Sequence, residues 1–341
     1  MGRQRGKVGS VRSTIDLHLI EGDVLSAACD LACFKHAQSF YGADEVAVSA
    51  IANRAGRSWN DFEVPIGEVR SFETLGAMTA PRAAFFGTDR LGTLRYHELR
   101  LLAGRMLSFA QTQPSVKRIA TTVHGVRAGL DEQEAVLALV GGFIDAFQKG
   151  AGGDIEEVSI VERNSGRARR MRQTLEDGLA KTTGVTKLAS GAFRVERSVA
   201  FKQATVMATA GQATQEKPHA FVAMPFLPEL EDVFHYGIQA PVKSAGLLCE
   251  RVDQVAFDGL IIQRIRERIE TAKVVIADLS TANPNVYLEV GYAWGRNKPT
   301  ILLVRDVSEL RFDVQGHRCL IYRSIRELES LLSQELKRLG S

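Results

Sequence analysis

The stretch KVVIADLSTANPNVYLEVGYAWGRNKPTILLV, residues 273–304, decides the fold. Lys273–Ala277 is a short run of mostly β-branched residues and reads as a buried strand. Asn283 and Pro284 then carry a helix start, because an asparagine side chain caps free amides and proline fits the first turn. The spacing predicts a helix over Asn285–Arg296 and a second buried strand over Thr300–Val304. A helix between two strands that are apolar almost throughout is the repeating unit of a parallel sheet covered on both faces.

The same alternation runs outward in both directions. Upstream come the run HAFVAMPF (219–226), a helix over Pro228–Gly246 with apolar Leu230, Val233, Ile238 and Val242, a strand over Leu247–Val252 and a helix over Asp258–Ala272. Downstream come a strand over Cys319–Tyr322 and a helix over Ser324–Leu339. The expected fold of this half is a flavodoxin-like, doubly wound parallel sheet of five strands. Ligands of such sheets lie beyond the carboxyl ends of the strands, where the strand order reverses. One such end is Met224-Pro225-Phe226, whose backbone amides face a helix start and suit a phosphate, without the Gly-Lys-Ser/Thr of a triphosphate loop. Another is Asp278-Leu279-Ser280, which leads through Asn283 and Asn285 into a helix with Glu289 about one turn in. Apolar Leu288, Val290 and Ala293 surround Glu289, so its carboxylate has few places to be except a pocket. Gly291 allows a ligand or another backbone to approach closely.

These strings, with RFDVQGHRCLIY (311–322) downstream, resemble the nucleoside 2-deoxyribosyltransferase-like and TIR-like superfamily over nearly all of Ala220–Leu339. The resemblance implies cleavage or exchange of N-glycosidic bonds in nucleosides, nucleotides or NAD. The family's glutamate, in its Glu-x-Gly-x-Ala string, matches Glu289, and the strand-end aspartate that holds the sugar or base matches Asp278. Substrate contacts are expected from Met224, Pro225, Phe226, Ser280, Asn283, Asn285 and Gly291. The chemistry is physically sound: breaking the bond builds positive charge on the anomeric carbon, which a carboxylate beneath it stabilises or captures. Nicotinamide leaves NAD neutral and needs no general acid, whereas a purine needs a protonated group near its ring. Asp278 suits either that role or the binding of ribose hydroxyls.

The first half has a layout rather than a site. IDLHLI (15–20) reads as a strand followed by Gly22-Asp23-Val24, and YGADEVAVSAIANRAG (41–56) as a glycine-opened helix. Arg118–Val123 reads as a strand running into VHGVRAG (123–129), ahead of a helix over Glu132–Phe147. In this order the half resembles macro domains, and the related amino-terminal domain of leucine aminopeptidases. The resemblance implies ADP-ribose binding, with Asp23 at the adenine and Gly125, Arg127 and Gly129 in the phosphate loop. Two departures weigh against hydrolysis and leave ligand binding open. CFKHAQSF (33–40) stands where macro hydrolases carry an asparagine-rich string, and the loop lacks the usual Thr-Gly pair.

The expected architecture is therefore two three-layer α/β domains. Residues 12–165 form a macro-like domain, 166–217 a helix and connector, and 218–341 the TIR-like domain. A length of 341 residues suits two domains. The charge excess of +3 gives no electrostatic case for a nucleic-acid partner. No apolar run is long enough for a bilayer, and the amino terminus lacks a signal-peptide core, so a cytoplasmic protein is expected. The four cysteines (29, 33, 249 and 319) fit neither a zinc site nor a disulfide framework, and no metal or cofactor is expected. Asp131-Glu132-x-Glu134 reads as the acidic first turn of a helix, and Arg167, Arg169, Arg170 and Arg172 as a solvated helix face. Together the halves suggest a signal-regulated, homo-oligomeric effector of prokaryotic defence, which hydrolyses NAD as substrate through Glu289 when its first domain binds a nucleotide or ADP-ribose-type ligand. A nucleoside deoxyribosyltransferase or nucleotide N-glycosidase, and a non-catalytic nucleotide sensor or scaffold, are the alternatives.

Overall fold

The computed structural model describes residues 12–90, 94–214, 217–252, 260–311 and 314–340. The chain divides into two compact units, Met1–Gly125 with Glu132–Thr214, and Val126–Asp131 with Gln215–Ser341.

The first unit is built on strands β1 (Thr14–Glu21), β2 (Leu31–His36), β3 (Val69–Glu73), β4 (Arg82–Gly87), β5 (Arg118–Thr121), β6 (Glu157–Glu162), β7 (Val185–Ala189) and β8 (Ala192–Glu196). They form one sheet in the order β3-β4-β2-β5-β6-β1-β8-β7. The inner strands β4, β2, β5, β6 and β1 are mutually parallel, whereas β3, β8 and β7 pair antiparallel. Every residue of β2 is buried, so both faces of the sheet are covered there. Helix α1 (Ala43–Ala55) covers one face, where Ala47, Val48 and Ile51 meet Ala32, Phe34 and Phe85. Helices α2 (Tyr96–Ala110) and α3 (Glu132–Gln148) pack on each other, and α3 contacts α4 (Ser165–Leu179).

The antiparallel strands β3, β7 and β8 have no counterpart in the sequence reading. Residues of β3 and β7 are at most half-buried, so no apolar run marks them. Residues 166–217, read as helix and connector, hold α4, the β7–β8 hairpin and the short helix α5 (Thr205–Thr209). The last part of this segment is held by Arg100 of α2. Its guanidinium donates to Asp145 at 2.7 Å, to the Met207 and Ala210 carbonyls at 2.7 and 2.5 Å, and to Gln203 at 3.2 Å. Arg100→Ala leaves these acceptors to find new partners, at a cost of about 2 kcal/mol. Faster amide exchange and proteolysis confined to residues 203–214 is the expected result; an unchanged exchange pattern speaks against the anchoring role.

The second unit holds β9 (His219–Ala223), β10 (Leu248–Glu250), β11 (Val274–Asp278), β12 (Thr300–Val304) and β13 (Cys319–Ile321). All pairs are parallel, in the order β10-β9-β11-β12-β13. This is the expected doubly wound sheet, and its order reverses between β9 and β11. Alternate residues divide between two cores. Ala220, Val222, Val274, Ile276 and Leu303 meet the helix α6 (Ala240–Ser244) and the apolar stripe Leu328, Leu332, Leu336 of α9 (Ile325–Gly340). Phe221, Ala223, Val275, Ala277 and Leu302 meet α7 (Leu260–Thr271) and α8 (Pro284–Gly295) on the opposite face.

One expected element differs in kind. The single helix read over Pro228–Gly246 is a 3₁₀ turn at Pro228–Leu230, a π-helical segment at Val233–Gln239, and then α6. The five-residue step from Val233 to Ile238 fits the wider π turn, which keeps both side chains in the same core. Gly237 sits where a Cβ would stand 2.6 Å from Leu328, so a side chain there would push α9 away. No helix among the described residues is long and apolar enough to cross a membrane.

Candidate functional site

The second unit's candidate site lies at the carboxyl edge of its sheet. Asp278 ends β11 and is 1% exposed. Its Oδ1 accepts the Ser280 amide at 2.9 Å, and its Oδ2 accepts the Tyr322 hydroxyl at 2.7 Å. Ser280 is drawn in further, since its hydroxyl oxygen accepts the Arg305 amide at 3.0 Å and lies 3.4 Å from the Tyr322 oxygen. The chain then turns through Ala282, whose φ of +48° is a left-handed conformation an alanine seldom adopts. Such strain collects at functional loops. Asn283 caps α8 by accepting the Asn285 amide at 2.9 Å, and Pro284 opens the helix, as the residue order predicts.

Glu289 lies five residues beyond Pro284, roughly 7 to 8 Å along α8. The buried positions of this helix are Val286, Glu289, Val290 and Ala293, the spacing of a single helix face. Glu289 is therefore buried, at 6% exposure, by membership of the stripe that seals the helix on the sheet. The stripe belongs to the core on the Phe221 and Val275 face. Asp278, alternating with Val274 and Ile276, shares the other face with Tyr322. The structure thus gathers Asp278, Ser280, Tyr322 and Arg305, while Glu289 lies in the helix stripe on the opposite side of the sheet. Gly291 is on the exposed side of α8, where a Cβ would meet no atom within 4 Å, so no close approach inside the chain requires it.

On the β9 side, Met224 is buried with the Ile276 core, while Pro225 and Phe226 are half-buried. Phe226 stacks under the Arg251 guanidinium at 3.7 Å, and Phe234 takes its other contact at 3.9 Å. Arg251 also pairs with Glu231 at 2.9 Å, whose second oxygen faces His235 at 3.3 Å. The His235 hydrogen bond and the Arg251 charge hold Glu231 down at about 2. His317 is placed far more simply, stacked on Trp294 at 4.1 Å.

In the first unit, Asp23 is half-buried and accepts the Leu25 amide at 2.9 Å, capping a single turn. Gly125 has φ +85°, the positive angle that a glycine loop requires. Arg127 and Gly129 fall in the segment that belongs to the second unit, where Ala128 bridges Val252 and a Gly129 Cβ would stand 3.0 Å from the Val252 side chain. Asp131 fixes this segment by accepting the Lys243 ammonium at 2.5 Å and the Cys249 amide at 3.0 Å. Glu132 instead takes a two-pronged bond from Arg170, and Glu134 accepts the Thr214 hydroxyl at 2.6 Å. The three carboxylates are thereby spent on separate sets of partners. Among the described residues no group of His, Cys, Asp and Glu could hold a metal ion.

Sequence reasoning missed a charged cluster at the carboxyl edge of β2 and β5. Lys35 pairs with Asp44 of α1, both almost wholly buried, and His124 Nδ1 stands 3.8 Å from the second Asp44 oxygen. Lys35 and His36 lie inside the very string that departs from the macro hydrolases, which was the available signal. Burial, aided by the Lys35 charge and opposed by Asp44, pushes His124 from the ordinary 6.5 down to about 4. Between those values the unfolded chain binds a proton that the folded one refuses. Stability present above pH 6.5 is therefore lost as pH falls toward 4, by at most about 3 kcal/mol. Denaturation of the whole chain at pH 7 and pH 5 checks this; His124→Asn is expected to flatten that acid slope.

No family model matches the chain, and no curated protein matches it. Among solved structures, the Oceanobacillus iheyensis macrodomain with MES bound is similar at 14% identity and TM-score 0.39, over 49% of this chain and 99% of that one. The Trypanosoma brucei macrodomain in complex with ADP is similar at 15% identity and TM-score 0.40, over 47% of this chain and 68% of that one. The Clostridium botulinum CMP N-glycosidase is similar at 18% identity and TM-score 0.29, over 34% of this chain and 98% of that one. At this level of likeness none of them bears on function.

Proposed function

We propose that the second unit cleaves the N-glycosidic bond of a nucleotide-type substrate, with NAD the leading candidate, and that the first unit binds a nucleotide or ADP-ribose-type ligand. One observation carries the reading: Glu289 is a buried carboxylate in an otherwise apolar helix stripe, on the helix that leaves the strand next to the sheet's switch point. A carboxylate held there would face positive charge developing on an anomeric carbon. Asp278, fixed by two donors, takes the part of holding the sugar. Met224, Pro225 and Phe226 with Ser280, Asn283 and Asn285 form the rims from the two strand ends. The first unit's part rests on the carboxyl edge of its parallel strands, where Gly125 opens a loop beside β5 and Asp23 turns the chain after β1.

The test is incubation of the full chain with NAD, with and without added ADP-ribose, and chromatography of the products. Release of nicotinamide and ADP-ribose is the expected result. Free base from deoxynucleosides with NAD left intact would move the reading to a deoxyribosyltransferase or nucleoside glycosidase. Tight binding of nucleotides with no turnover would make the unit a sensor.

A further inference from the structure

Tyr322 reaches Asp278 from just beyond β13, two places along the sheet from β11. It is 1% exposed and packs in the core beneath α9. A phenol has one proton. With that proton given to Asp278 Oδ2 at 2.7 Å, the Tyr322 oxygen is left to accept, and the Ser280 hydroxyl at 3.4 Å and the Arg305 side chain are donors that meet it. Ser280 in turn accepts the Arg305 amide at 3.0 Å. Donation therefore runs one way, from a backbone amide through two hydroxyls to the carboxylate, while the Ser280 amide takes the other oxygen at 2.9 Å. Burial and the adjacent Asp278 push Tyr322 up to about 12, so it keeps its proton across the neutral range.

We propose that Tyr322 is a positioning residue that commits Asp278 to accept a hydrogen bond from the substrate's sugar, and so withholds Asp278 from acting as the acid for the departing base. The inference rests on the glycosidic reading above and deepens it by naming a substrate class: N-glycosides whose base departs without protonation, as a pyridinium does. The balance closes. The electron pair of the C1′–N bond passes to the cationic ring nitrogen, which leaves neutral. Water supplies the hydroxyl that bonds to C1′, and its remaining proton goes to solvent.

The test uses the full chain on NAD, on an NAD analogue lacking the 2′-hydroxyl of the nicotinamide ribose, and on CMP and deoxyadenosine. The wild type is expected to release nicotinamide from NAD and little base from CMP or deoxyadenosine, whose bases are uncharged while attached. Tyr322→Phe is expected to lower kcat/KM on NAD about tenfold to a hundredfold, and to leave the deoxy analogue nearly unaffected. An equal loss on both substrates marks a merely structural tyrosine and overturns the proposal. Base released from CMP or deoxyadenosine at the NAD rate overturns the substrate class while the glycosidic reading stands. No release from any substrate overturns that reading itself. Should Tyr322→Phe fail to fold, tyrosine ¹³Cζ resonances answer instead. Asp278→Asn is expected to bring the Tyr322 titration down from about 12, and an unmoved titration overturns the pairing.

Discussion

Glu289→Gln is expected to lower nicotinamide release from NAD about a thousandfold while leaving the chain folded. The substitution keeps shape and hydrogen-bonding capacity but removes the negative charge that faces the anomeric carbon. Because Glu289 is 6% exposed, the melting temperature of the variant is read beside its activity, to separate lost chemistry from lost folding. A drop in activity with an unchanged melting temperature is therefore the diagnostic pair of results. Equal activity in the variant and the wild type would remove Glu289 from the mechanism. Leu288→Ala serves as the control, since Leu288 is the exposed neighbour on the same helix.

The second large effect lies in the first unit. Lys35→Ala strands Asp44, which is 1% exposed, pairs with that ammonium and faces the His124 imidazole. Removing one partner of a buried pair leaves an uncompensated charge, and a loss of about 3 to 5 kcal/mol is expected in denaturant unfolding. Replacing both partners, Lys35→Met with Asp44→Leu, is expected to recover most of that loss, because the expense lies in the unpaired charge. His124 supplies an internal check. Lys35 holds its titration down and Asp44 raises it, so in Lys35→Ala the acid-induced loss of stability is expected to be smaller and to level off at a higher pH. A Lys35→Ala protein as stable as the wild type would show that the pair is not formed.

How much was legible depends on how local each cause is. The stripe Val286, Glu289, Val290 and Ala293 lies within eight consecutive residues, and its cap and opening proline stand just ahead of it. The cap and the proline are legible in the residue order. Glu289 is singled out in the sequence by its apolar neighbours Leu288, Val290 and Ala293. Of these, Leu288 is exposed and only Val290 and Ala293 belong to the stripe. The basic positions of α4 were read as a solvated face, yet Arg167 and Arg170 turn to Glu132 and Glu162. Helical spacing shows which residues share a face and says nothing of what faces them. The single helix read over Pro228–Gly246 failed for a related reason, since its period is interrupted where α9 presses Leu328 against Gly237.

By itself the sequence determined the alternation of strands and helices, the parallel five-stranded sheet of the second unit, and the capped start of the helix that carries Glu289. Each follows from hydrophobic period and capping, which act over a few residues. Only the tertiary structure decided that Asp278 is held by a tyrosine 44 residues away, and that Lys35 and Asp44 meet His124 at the edge of another sheet. It also decided that Arg127 and Gly129, expected in a phosphate loop of the first half, lie in a segment that belongs to the second unit. These pairings are set by which strands become neighbours, and strand order is a property of the whole sheet that no local pattern encodes.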